Sequence, residues 1–309
     1  DSTDAFAQAM AKLLTRNTSR TFGGWNLSSG TAGCGDMGGA SLNLGGGDFI
    51  ISAPIVNPCH VCNVRVHGGT LRAGLGFPAD KYLIETAVGC PQNNGPGTPE
   101  FLGFSELLLD CRGVAAGGLH LPNNLGTNVG PRIFVTGFSQ HGISVEVGHE
   151  VMIHETWINP EMMSGRQHGG LDPKHYFNGT SGSNDSSGIR LWGADHYLTN
   201  VIVFSTAAKS GSELVGVEVA GGGNLLTGVH TWQGSIGIYV CWGEEWPRTA
   251  AAGQAHNRIV DSYLDMNRLV ACDPTELTIM DSYFLAGGHI NLRATPYLHE
   301  IKGLSIHGS

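Results

Sequence analysis

The chain has 309 residues, of which 41% are hydrophobic and only 14% charged, with 47 glycines and a formal net charge of −9. An ordinary globular protein carries about 25% charged residues and about half this share of glycine, so the chain turns often and covers itself with uncharged polar side chains. Its aliphatic content excludes a disordered chain. The acidic balance argues against nucleic acid and anionic membrane as partners, and no apolar run approaches the roughly 18 residues of a membrane span.

Residues 1–15 read as a helix. Ser2, Thr3 and Asp4 are N-cap candidates, and Phe6, Met10, Leu13 and Leu14 form one apolar stripe. Residues 16–37 are rich in Gly, Ser and Thr and read as loop. From residue 38 onward, short β-branched segments alternate with Gly, Asn and Asp. One rung recurs: Gly142-Ile143-Ser144-Val145, Gly188-Ile189-Arg190-Leu191, Gly216-Val217-Glu218-Val219 and Gly237-Ile238-Tyr239-Val240. Each is a glycine, a β-branched residue, an outward residue and an aliphatic residue. A second unit, Asp-Ser-Tyr, stands at Asp261-Ser262-Tyr263 and again at Asp281-Ser282-Tyr283. Short strands repeating every 20 to 30 residues or so indicate a solenoid. The expectation is an all-β chain, a single parallel β-helix over 38–309 with a long loop insertion at 159–187. Residues 1–37 supply its N-terminal capping helix and loop, with Phe6, Met10 and Leu13 packed near Leu42, Leu44 and Ile50.

A β-helix offers equivalent turns along its length, so a break in the repeat marks the place where chemistry can concentrate. The insertion at 159–187 carries Arg166, Asp172 and His175, and insertions in solenoids often build the binding face. Glu155 and Asp195 flank it. Asp172, Glu155 and Asp195 are therefore the candidate catalytic acids, one to protonate a leaving oxygen while its partner stays ionised. Arg166, His175, His149 and Trp192 are candidate substrate-binding residues, the arginine because its fork matches a uronate carboxylate and the tryptophan because sugars stack on aromatic faces. Asp261 and Asp281, with Glu155 and Asn200 near the same register, form either a row of carboxylates or a polar stack inside a turn.

Seven cysteines include Cys59-His60-Val61-Cys62, but no second pair stands at zinc-site spacing, so no metal and no cofactor are expected. Val240-Cys241 and Ala271-Cys272 align as stacked rungs about 4.8 Å apart, within disulfide reach, which predicts a Cys241–Cys272 bridge. Cys34, Cys59, Cys62, Cys90 and Cys111 are left unassigned. Sequons at Asn17, Asn26, Asn178 and Asn184 point to a secreted, extracellular glycoprotein.

Five stretches carry a family resemblance: Gly38-Gly39-Ala40-Ser41-Leu42-Asn43-Leu44, His67-Gly68-Gly69-Thr70-Leu71-Arg72-Ala73, Phe77-Pro78-Ala79-Asp80-Lys81-Tyr82-Leu83-Ile84-Glu85, Gly148-His149-Glu150 and Leu226-Thr227-Gly228-Val229-His230. Together with the opening Asp1-Ser2-Thr3-Asp4-Ala5-Phe6 they resemble the plant QUARTET-3-like polygalacturonases, within the pectate-lyase superfamily of β-helix proteins. The resemblance spans most of residues 1–307. It implies a right-handed coil and a glycosidase acting on an acidic polysaccharide or cell-wall glycan. The Asn-Thr-Asp, Asp-Asp, Gly-His-Gly and Arg-Ile-Lys motifs of the best-known polygalacturonases do not occur here. The alternative is therefore a non-catalytic extracellular subunit, a homo-oligomer or filament built on the same fold.

Overall fold

The computed structural model describes residues 1–14, 21–22, 34–87, 98–160, 186–205, 214–241, 255–293 and 302–309. The chain is an all-β, right-handed parallel β-helix with one N-terminal helix. Its strands stack in two sheets. A nine-stranded sheet holds, in neighbouring order, Ile55–Asn57, Tyr82–Thr86, Gly117–Pro122, His141–His149, Ser187–Ala194, Val215–Ala220, Ile236–Val240, Arg268–Cys272 and His289–Arg293. A sixteen-stranded sheet bends round the rest of each coil.

The bends of the larger sheet follow a simple rule. Glu150, Asp195, Gly223, His256 and Glu276 have φ between 51° and 72°, and five residues later Glu155, Asn200, Gly228, Asp261 and Asp281 have φ between 46° and 63°. Register stacks each set into a column, one residue per coil. A single left-handed residue turns the strand, and Gly, Asn and Asp meet that demand at lowest cost.

The Asp-Ser-Tyr repeat is this geometry written in sequence. Asp261 and Asp281 are the bend residues. The next residue points inward: the Val229 amide donates to Ser262 Oγ (3.2 Å), and the Ser262 amide to Ser282 Oγ (3.2 Å). The tyrosine then points out, and the Tyr263 and Tyr283 rings stack with centroids 5.1 Å apart. A matching amide ladder runs inside the other bend: the His196 amide donates to Asn224 Oδ1 (3.0 Å), and Asn224 Nδ2 to Asn257 Oδ1 (3.0 Å). These side chains answer backbone donors that the bends remove from the sheet.

The core is built of columns too. Ile84, Leu119, Ile143, Ile189, Val217, Ile238 and Leu269 stack through the nine-stranded sheet, all buried. The glycine that opens each rung has a steric cause: a Cβ on Gly188 would stand 2.7 Å from the Gly216 carbonyl oxygen, and one on Gly216 2.5 Å from that of Gly237. A Cβ there would also meet the side chains packed beneath, such as Val203 and Thr231.

Helix Thr3–Leu14 closes the first coil. The Thr3 amide donates to Asp1 Oδ1 (3.0 Å), so Asp1 supplies the cap. Phe6 and Met10 are buried, and Leu13 packs at their edge, against a core that includes Leu42 and Leu44. One expectation needs correcting: Ile50 is 45% exposed, and Phe49 takes the inward place, meeting Phe6 edge-on at 5.2 Å. Side chains alternate along a strand, and the assigned phase was one residue out.

Cys241 and Cys272 form a disulfide with Cα atoms 4.9 Å apart, and Cys34 pairs with Cys62. Cys59 is also disulfide-bonded, whereas Cys111 is a buried thiol whose pKa burial pushes up. The pairing of Cys34 with Cys62 excludes the metal reading of the Cys34, Cys62 and Glu100 group. The Cys241–Cys272 bridge closes a separation of 31 residues, worth about 4 kcal/mol in the chain-entropy account. Replacing Cys241 and Cys272 together by serine is expected to lower Tm clearly without changing the fold, read by thermal denaturation beside a non-reducing peptide map. No helix among the described residues is long and apolar enough to cross a membrane.

Candidate active site

The outward faces of the coils decide where chemistry can occur. In the repeated rung, the outward positions are Ser144, Arg190, Glu218 and Tyr239, and register places them in one column that continues to His120 and Glu85. Beside it runs a second column containing Pro122, Glu146, Trp192 and Ala220. The two columns bring three glutamates, an arginine, a histidine and two aromatic rings together on the nine-stranded sheet.

The contacts are close. Arg190 Nε lies 3.5 Å from Glu218 Oε2, and its Nη1 lies 3.9 Å from Glu146 Oε1. The guanidinium sits 3.5 Å above the Trp192 ring, and Trp192 Nε1 donates to Glu218 Oε1 (3.3 Å). Ser144 Oγ donates to Glu146 Oε1 (3.1 Å). His120 Nε2 stands 3.3 Å from Glu146 Oε2. The Tyr82 ring stacks on His120, centroids 4.9 Å apart.

Electrostatics fixes the charge state of one carboxyl. Burial pushes the Glu146 carboxyl up, but His120, Arg190 and the Ser144 hydroxyl together outweigh it and hold the group at about 2. Glu146 is therefore ionised under all ordinary conditions and suits a base or a charge stabiliser. Tyr82 is pushed above its usual value by burial and by Glu146, and stays a neutral phenol. Arg190 faces its two acids at distances longer than a charge-assisted hydrogen bond, which leaves donors for a third oxyanion.

The residues singled out in the sequence fall in several places. Trp192 is in the cluster. Glu155 and Asp195 are bend residues in the two columns of left-handed backbone, both exposed. Glu155 has His154 beside it, 3.9 Å away. His149 ends the strand His141–His149 and pairs in register with Ala194, one residue before Asp195. Glu155 lies on the sixteen-stranded sheet, whereas His149 and Trp192 belong to paired strands of the nine-stranded one, with Asp195 at the bend just after. Asp172, Arg166 and His175 lie outside the described residues, as do Asn17, Asn26, Asn178 and Asn184. Glu146, Glu218, Arg190 and His120 were not singled out. The signal for two of them was present: Arg190 and Glu218 are the outward residues of the rung pattern itself.

A second outward surface is aromatic. Phe134, Trp157, Ile202, His230, Tyr263 and Tyr283 form one column on the sixteen-stranded sheet. Trp157 is 52% exposed and meets Phe204 edge-on. Tyr263 and Tyr283 stack face to face, which uses ring faces for coil-to-coil packing rather than for a ligand.

A parallel β-helix with an acid–arginine cluster on one lateral sheet defines the class. Within it, the chain is 33% identical over 313 residues to Polygalacturonase QRT3 of Arabidopsis thaliana, an alignment covering 99% of this chain. That alignment covers 56% of the relative, so the chain spans just over half the length of the curated protein it matches. No family model matches the chain. Among solved structures it is similar to PfbA, a surface adhesin of Streptococcus pneumoniae (TM-score 0.42, 10% identity, 87% of this chain and 86% of that one). It is also similar to an alginate lyase from Paenibacillus sp. str. FPU-7 (TM-score 0.38, 12% identity, 87% and 89%). A third is Geobacillus virus E2 ORF18 (TM-score 0.39, 11% identity, 96% and 57%).

Proposed function

We propose that this chain is the β-helix of a secreted, polygalacturonase-like glycoside hydrolase acting on an acidic polysaccharide. The observation that carries the reading is the juxtaposition of Glu146 and Glu218 across Arg190 on one lateral sheet. Hydrolysis of a glycosidic bond needs two carboxyl groups flanking it. Glu146, ionised, is the base that activates water. Glu218, the more buried of the two and paired with Arg190, is the second carboxyl, opposite Glu146 across the guanidinium, as hydrolysis requires. Arg190 holds a uronate carboxylate by two N–H groups, and Trp192 keeps the guanidinium oriented from below. The polygalacturonase name of the relative supports the substrate class. The disulfides fit an oxidising compartment, and glycans at the four sequons would fit the same route.

The test is hydrolysis of polygalacturonate followed by reducing-end release. Glu146→Gln and Glu218→Gln are each expected to lower kcat by about 100-fold or more with folding retained. Activity in both variants equal to the parent would move the chemistry elsewhere, with Glu155 and Asp195 next to be replaced. A parent inactive on every acidic polysaccharide tried would favour the non-catalytic extracellular subunit.

A further inference from the structure

A well-formed hollow lies on the sixteen-stranded sheet, away from the acid–arginine cluster, on the strand segment between the two bend columns. Its volume is about 630 Å³. The cause is a missing side chain. Arg65, Gly103, Asn128 and Met152 are consecutive outward residues of one column, and Gly103 leaves a gap one coil wide between long neighbours. Phe101, at φ 52° and 47% exposed, forms one wall. That φ is the bend geometry itself, since Phe101 stacks through Gly126 onto Glu150 in the same column. Ser105 lines the opposite side.

The chemistry of the lining is specific. Arg65 is its one charged residue and makes no ion pair among the described residues, on a chain whose net charge is −9. Asn128 Oδ1 accepts from His154 Nε2 (3.1 Å), which turns the Asn128 amide donors away from His154. An exposed aromatic ring, an unpaired guanidinium, an oriented amide and a hydroxyl around one hollow match a sugar that carries a carboxylate.

We infer that this hollow is a second, non-catalytic binding site for one uronic-acid unit of a polysaccharide. Its carboxylate pairs with Arg65, its apolar ring face rests on Phe101 and its hydroxyls meet Asn128 and Ser105. The choice of a uronate rests on the acidic-polysaccharide reading proposed above. The site would hold a chain on the protein at a point remote from cleavage, raising the local concentration of polymer.

Isothermal titration with a six-residue galacturonate oligomer tests it, on the parent and on Arg65→Gln and Gly103→Leu. Gly103 does not have left-handed φ, and a Cβ there meets only the flexible Arg65 stem at 3.2 Å, so leucine fills the hollow without disturbing the fold. The parent is expected to bind two oligomers per chain. Each variant is expected to lose one of them by at least tenfold in Kd, while hydrolysis of a short soluble substrate stays unchanged. The carboxyl-reduced oligomer, which is neutral, is expected to bind the hollow at least tenfold more weakly. A single site in the parent that neither variant changes would overturn the inference even if the protein hydrolyses polygalacturonate. Arg65-dependent binding by an inactive parent would uphold the site and overturn the hydrolase reading instead.

Discussion

Acidification from pH 7 to pH 4.5 is expected to destabilise this fold by on the order of 5 kcal/mol. Two histidines are the cause. His141 is buried, with Nδ1 2.9 Å from Ser187 Oγ, and burial, reinforced by Arg190, lowers its pKa to about 3. His196 is buried inside the bend, its Nδ1 accepting the Val151 amide (3.2 Å), and burial, with His149 nearby, lowers it to about 3 as well. In the unfolded chain both protonate near 6.5. Between about 6.5 and 3 the unfolded state therefore binds protons that the folded state refuses. The stability these groups contribute is complete above about 6.5 and is lost as pH falls. With two protons the slope approaches about 2.7 kcal/mol per pH unit, so two units cost on the order of 5 kcal/mol. That is comparable to the whole stability of many domains. Below about 4.5 Glu146 adds a loss of the same sign, since its folded value is depressed to about 2. Urea midpoints measured from pH 7.5 to 4.5 check this. A midpoint that stays flat across the range would contradict the buried, neutral state of both rings.

The second large effect concerns the cap. Deleting residues 1–14 is expected to abolish the soluble fold. The helix covers the first coil with Phe6 and Met10, and the Ser2 amide donates to the Ile50 carbonyl (2.8 Å). Without it, Leu44 and Phe49 meet water, and the strand edge of the first coil becomes a template for other chains. Phe6→Ala and Met10→Ala grade the same effect, each expected to cost about 2–5 kcal/mol by cavity formation and lost burial. Light scattering and thermal denaturation read both results. A deletion variant that remains monomeric with an unshifted Tm would show that the helix is dispensable.

The sequence revealed the coil because its repeats are physical necessities. Gly142, Gly188 and Gly216 recur where coils touch through backbone, and Asp-Ser-Tyr recurs where a bend, an internal hydroxyl and a stacked ring must follow one another. The Cys241–Cys272 pairing was legible for the same reason, since register in a solenoid is distance. The amphipathic stripe identified the cap, but the phase of one strand was misread, because Phe49, Ile50 and Ile51 are all apolar and alternation leaves no mark there. The site was harder to read. Breaks in the repeat drew attention to the acids around 159–187, yet the acid–arginine cluster stands on regular rungs. Glu146 is contributed by one strand, Arg190 by the next and Glu218 by a third. Their meeting depends on which face each residue takes and on how coils of unequal length align. Bend residues such as Glu155, Asp195 and Asp281 look like chemistry in sequence because left-handed backbone and catalysis both favour the same short polar side chains.

The most direct measurement is the position of a bound substrate. A crystal structure of the Glu218→Gln variant with a galacturonate oligomer should show the sugar chain on the outer face of the nine-stranded sheet. One carboxylate should lie on Arg190, with the glycosidic oxygen between residues 146 and 218. An oligomer lying instead along the exposed bends of Glu155 and Asp195, with the Arg190 face empty, would contradict the account.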